Sequence, residues 1–123
     1  MPNPIVHFEL PVNDPVAAQD FYTKLFDWEI KKVPMGDMDY YTVMIGPDDS
    51  GVLNGGMSER KDSKQGPVNY IQVDDIEAKM KEIEAAGGTI TMPKTPVKGM
   101  GYFCHFDDTQ NNTLGLWQDD KSA

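Results

Sequence analysis

The chain has 123 residues, 39% hydrophobic and 25% charged, the size and make-up of one globular domain with a real core. Eleven basic against twenty acidic side chains give a formal charge of −9, which argues against the basic footprint that nucleic-acid binding needs. No apolar run approaches the ~18 residues that span a bilayer, Met1-Pro2-Asn3-Pro4 lacks the basic and apolar regions of a signal peptide, and the lone Cys104 has no partner for an intrachain disulfide. Together these point to the cytoplasm, with no membrane and no nucleic acid among the expected partners.

Residues 5–12 alternate. Val6, Phe8, Leu10 and Val12 form an apolar face, and Ile5, His7, Glu9 and Pro11 a mixed one, which predicts a half-buried strand. Asp14-Pro15 reads as an N-cap followed by a first-turn proline. Ala17, Ala18, Phe21, Tyr22, Leu25 and Phe26 then fall at helical spacing. Trp28 to Val33 predicts a second strand, Met35 to Asp39 a loop, and Tyr40 to Ile45 a third strand. Gly46 to Gly51 is a turn, and Val52 to Met57 a fourth strand weakened by Gly55-Gly56.

The polar run from Glu59 to Gly66 reads as a linker. The order then repeats. Val68 to Val73 is a strand, and Asp74 or Asp75 caps a helix carrying Ile76, Met80 and Ile83 on one face. Gly87-Gly88 ends that helix, Thr89 to Met92 is a strand, and Pro93 to Gly101 a loop. Tyr102 to Phe106 and Thr113 to Gln118 complete the set, and the residues from Asp119 onward read as a tail. An offset of 61 residues pairs Val12 with Val73, Asp14 with Asp75, Ala17 with Ala78, Tyr41 with Tyr102 and Leu53 with Leu114. The prediction is an α+β protein of two βαβββ modules: module one over 4–58, a linker over 59–66, module two over 67–118 and a tail over 119–123. A unit of this size cannot bury its own core, so the copies must pack together, and a pocket tends to form where they meet.

The chemistry is sparse. The acidic pairs Asp48-Asp49, Asp74-Asp75, Asp107-Asp108 and Asp119-Asp120 read as turns and caps. His7 and Glu9 point the same way from the first strand. They can hold a metal, act as an acid–base pair, or simply bond to each other. Cys104 and His105 are strand neighbours on opposite faces and cannot form a nucleophile dyad. There is no Cys-x-x-Cys, His-x-x-x-His, phosphate loop or Gly-x-Ser-x-Gly. Tyr40, Tyr41, Tyr70, Tyr102, Phe103 and Trp117 lie on predicted strands, with Met35, Met38 and Met100 in loops. These suit either core or an adaptable apolar pocket.

The paired modules, the run Asp20-Phe21-Tyr22-Thr23-Lys24-Leu25-Phe26-Asp27-Trp28, the segment Val73-Asp74-Asp75-Ile76 and the segment Asp108-Thr109-Gln110-Asn111-Asn112 resemble the vicinal oxygen chelate superfamily, the group of glyoxalases, bleomycin resistance proteins and extradiol dioxygenases. The resemblance covers residues 5–118. It implies that each module curls into a half-cup, that the two halves enclose one cavity, and that the protein is a homodimer. It also implies a divalent metal held from the first and last strands of each module. Carried over, those positions are His7, Asn54 (or Gly56, with a shifted register), Val68 and Gly115. Val68 and Gly115 have no ligating side chain, and a catalytic ion normally needs about three protein ligands.

The expectation is therefore a member without the family metal and without another cofactor. It would bind a small, partly apolar molecule through His7, Glu9, Asn54, Tyr70, Gln72, Tyr102 and Trp117. Two alternatives stand beside it. One is a metal-dependent lyase or isomerase with an irregular site built on His7 and Glu9, with His105 as a further candidate. The other is a protein-interaction role with a vestigial cup.

Overall fold

The computed structural model describes residues 2–35 and 38–123. The elements in chain order are β1 (Ile5–Val12), α1 (Pro15–Leu25), β2 (Glu29–Met35), β3 (Met38–Met44), β4 (Gly55–Glu59), β5 (Val68–Gln72), α2 (Ile76–Ala85), β6 (Thr89–Val97), β7 (Gly101–Asp107) and β8 (Thr113–Asp119). This is strand–helix–strand–strand–strand, twice. The chain gathers into two compact units, one of residues 7–67 and one of residues 68–123 with the segment up to Val6. Among the described residues no helix is long and apolar enough to cross a membrane.

In the first unit the strands run in the order β2-β3-β4-β1, with β1 and β4 parallel and the other neighbours antiparallel. The alternation of β1 works as the pattern demands. Phe8, Leu10 and Val12 pack with Ala18 and Tyr22 of α1 and with Trp28, around a core of Ile30, Tyr41, Val43 and Met57. In the second unit the order is β5-β8-β7-β6, again with one parallel pair, β5–β8. Its core is Val73, Ile76, Cys104, Phe106 and Leu116, with Met80 and Ile83 of α2 packed against it. Burial raises the Cys104 thiol above its ordinary pKa, partly offset by a hydrogen bond with the Leu116 backbone, as expected for a packing residue rather than a nucleophile.

The helix starts show the repeat most plainly. Asp14 and Asp75 are N-caps with the same extended backbone (φ −136°, ψ 100° and 101°). Each accepts a bond of 3.1 Å from the amide three residues on, Ala17 or Ala78. Asp14→Ala and Asp75→Ala are each expected to cost about 1 kcal/mol, the usual worth of such a cap, measured as a fall in urea midpoint at unchanged slope. Asp75 and Asp108 behave as the cap and turn reading predicts, whereas Asp107 and Asp119 end strands β7 and β8. Asp108 accepts from the Asn112 and Gln110 backbone amides, bonds that hold its carboxyl below the usual range.

Several boundaries differ from expectation. β2 runs on to Met35 and β3 begins at Met38, so strands take up both ends of the expected loop, and its Gly36-Asp37 lie outside the described residues. β6 continues to Val97 through two register shifts, taking up most of the loop expected after Met92. Asp119 belongs to β8, and the residues after it form a turn: the Asp120 amide bonds to the Met100 carbonyl, and the Gly99 amide to the Ala123 carbonyl.

Strand register corrects the internal alignment. Glu9 pairs with Gly56, and Tyr70 with Gly115, so the first strands match at an offset of 61. Thr42 lies opposite Gly56 and His105 opposite Gly115, an offset of 63 for the third strands and 59 for the fourth. Tyr41 and Tyr102 are therefore not structural equivalents, nor are Leu53 and Leu114. The physical reason is unequal connections. The β3–β4 loop spans residues 45–54, while β7–β8 needs only 108–112.

Candidate functional site

Each unit offers one sheet face opposite its helix, and the predicted site residues divide between these two faces. In the first unit His7 and Glu9 emerge there because their neighbours Phe8 and Leu10 are drawn to the α1 side. Tyr40 joins them from β3, two strands away. Its alternation partners Tyr41 and Val43 are buried in the core, so Tyr40 faces the other way. The Tyr40 hydroxyl donates to the Glu9 carboxylate. His7 Nε2 bonds to the same carboxylate and lies 3.1 Å from the Tyr40 hydroxyl. A carboxylate only accepts, and the phenol has given its one proton to Glu9. Nε2 must therefore carry a hydrogen to bond to either. The side chains of His7 and Glu9 are 36% and 18% exposed, so the group is partly shielded yet reachable.

Asn54 does not join this group. It precedes β4, and its side chain holds the β3–β4 turn: Oδ1 accepts from the amides of Ile45 (2.7 Å) and Gly46 (3.1 Å), and Nδ2 donates to the Gly46 carbonyl. The fourth-strand position is Gly56. A constant 61-residue offset points to Asn54 only because the β3–β4 and β7–β8 loops differ in length.

In the second unit Tyr70 is buried at 7% exposure, with its hydroxyl 2.7 Å from His105 Nε2. Phe103 meets the Tyr70 ring edge-on at 6.2 Å and lies 5.7 Å from the His105 ring. Gly115 makes this possible: a Cβ there would overlap the edge of the Tyr70 ring. Farther along the face, Trp117 Nε1 and Gln72 Nε2 each donate to Asp119, both at 2.7 Å. One carboxylate thus orients both predicted residues, and Asp119 belongs to this face rather than to the expected tail. Tyr102 stands apart. It packs with the α2-side core, and the Lys94 ammonium lies 4.2 Å from its ring centre. The structure thus brings His7 together with Glu9 and Tyr40, Tyr70 with His105 and Phe103, and Gln72 with Trp117 and Asp119, and leaves Asn54 and Tyr102 elsewhere.

The residues do not fit the metal that the resemblance implies. In the first unit the corrected positions are His7 and Gly56, and in the second Val68 and Gly115. Only His7 has a ligating side chain. Among the described residues no three His, Cys, Asp or Glu side chains are grouped to hold an ion. What the first face can do is hydrogen-bond a ligand and exchange a proton with it through Glu9, Tyr40 and His7.

Comparison with known proteins gives a consistent picture. The family model of the Glyoxalase/Bleomycin resistance protein/Dioxygenase superfamily matches residues 4–116. The "Putative glyoxylase CFP32" of Mycobacterium tuberculosis is 27% identical over 113 residues, covering 89% of this chain and 43% of that protein. The anthracycline biosynthesis protein DnrV of Streptomyces peucetius is 28% identical over 124 residues, covering 90% and 45%. The chain thus spans less than half the length of these relatives. The crystal structure of methylmalonyl-CoA epimerase from Mycobacterium tuberculosis superposes with a TM-score of 0.70 at 12% identity, covering 94% of this chain and 87% of that one, a likeness of fold.

Proposed function

Because the chain belongs to the glyoxalase/bleomycin resistance protein/dioxygenase superfamily, we propose that it is a metal-independent member that binds a small, partly apolar molecule on the helix-free faces of its modules. One observation carries this reading. Of the four positions that would hold the family's ion only His7 can ligate, while hydrogen-bonded polar groups and aromatic rings line the same faces. On the face of the first unit Glu9, Tyr40 and His7 offer a polar anchor. On the face of the second, Tyr70, Phe103 and Trp117 offer apolar contact, with His105 and Gln72 at its polar edge. The relatives named for glyoxylase activity and for anthracycline biosynthesis support a small organic molecule as the ligand class. We further read the protein as a cytosolic homodimer. A buried, unpaired Cys104 suits a reducing compartment, and closed two-fold dimers are the commonest assembly.

The test uses whatever organic molecule co-purifies with the protein, released by denaturation and titrated back by calorimetry. Glu9→Ala removes the acceptor that Tyr40 and His7 share, and Tyr70→Ala removes the ring and its bond to His105. Each is expected to weaken binding by about tenfold or more, the worth of one charged or buried hydrogen bond. Unchanged affinity in both variants would refute the assignment.

A further inference from the structure

The corrected register places Gly56 at the fourth-strand position of the first module, and the space above it is already filled. A Cβ built on Gly56 would overlap the Tyr40 hydroxyl and lie 2.7 Å from a Glu9 carboxylate oxygen. The phenol therefore stands where a side chain from that strand would project, and it is bonded to Glu9 and close to His7, the two groups there that could ligate an ion. The second module repeats the device: the Tyr70 ring covers Gly115 and bonds to His105. The tyrosines come from different strands, β3 and β5, yet both lie over the glycine of the fourth strand. Neither glycine is required by backbone conformation, since neither has a positive φ.

We propose that Tyr40 is the residue that sets the ligand chemistry of the first module, holding the place of a metal-binding side chain so that the site recognises ligand oxygens through protons instead of through a cation. Three consequences follow from the geometry. A carboxylate at position 56 cannot coexist with the Tyr40 ring. Removing the ring alone leaves two ligating groups, His7 and Glu9, too few for a firmly held ion. Removing the ring and supplying the carboxylate gathers three on adjacent strands of one unit, within the normal complement of a divalent site.

The inference rests on the metal-independent reading, and cobalt titration of the whole chain separates the two. Co2+ is followed by its visible absorption and by calorimetry, with folding monitored by circular dichroism. The wild type, Tyr40→Ala and Gly56→Glu are expected to show no saturable uptake, and Tyr40→Ala/Gly56→Glu to take up one ion per chain. Saturable uptake by the wild type would overturn the metal-independent reading itself. Equal uptake by Gly56→Glu with Tyr40 retained would leave that reading standing and overturn the role of Tyr40. A folded double variant without uptake would also overturn that role. Where the double variant does not fold, Tyr40→Ala/Gly56→Asp, one methylene shorter, repeats the test. Failure of both to fold while Tyr40→Ala folds would show that the space over Gly56 is not Tyr40's alone, and would count against the proposal.

Discussion

Leu116→Ala is expected to remove about 2–5 kcal/mol of unfolding free energy, the range for emptying a large aliphatic site in a core. Leu116 is 2% exposed and packs among Val73, Ile76, Cys104 and Phe106, in the middle of the second module. Domains of this size hold about 5–15 kcal/mol in all, so the loss is a large share of the total. Urea unfolding should show a much lower midpoint with the slope unchanged. A cost below about 1 kcal/mol, the level of a surface substitution, would mean that the second module is not held together by this cluster.

The second large effect concerns the ring over Gly115. Tyr70 is buried and its hydroxyl is bonded to His105, so the ring cannot step aside for a new methyl group without losing that bond. Gly115→Ala is expected to cost about 1–3 kcal/mol by overpacking. The clash disappears when the ring is removed. Gly115→Ala should therefore cost far less in a Tyr70→Ala background, with a coupling of about 0.5–3 kcal/mol in the double-mutant cycle. Additive costs would show that the ring and the glycine do not share this space.

Much of the fold was legible because local chemistry dictated it. The alternation from Ile5 to Val12 follows from a helix covering one face, and Asp14-Pro15 and Asp75 mark helix starts through their own side-chain bonds. The His7–Glu9 pair was visible for the same reason: two residues apart on a strand means the same side. The rest depended on distance along the chain. A fixed offset could not follow loops of different length, so the fourth strand was read from Asn54 instead of Gly56. Tyr40 was hidden because its role is to cross a neighbouring strand, which needs both the β3–β4 register and the absence of a side chain at Gly56. Its place on the face was recoverable in principle, since Tyr41 and Val43 are core and period two puts Tyr40 opposite them. Asp119 reads as tail from composition alone, yet a carboxylate two residues beyond Trp117 lies on the same strand face and within reach of the indole.

These corrections bear on function in one direction. Each moves a candidate ligand away from an ion: Asn54 goes to a turn, Gly56 takes its position, and His7 and Glu9 are engaged with a phenol. Metal independence is measured by native mass spectrometry, with elemental analysis, on protein freshly purified without chelators. The expected result is well under one zinc, nickel, iron or manganese per 13.8 kDa chain and an added mass from an organic ligand. Near-stoichiometric metal that is lost on His7→Ala would contradict it.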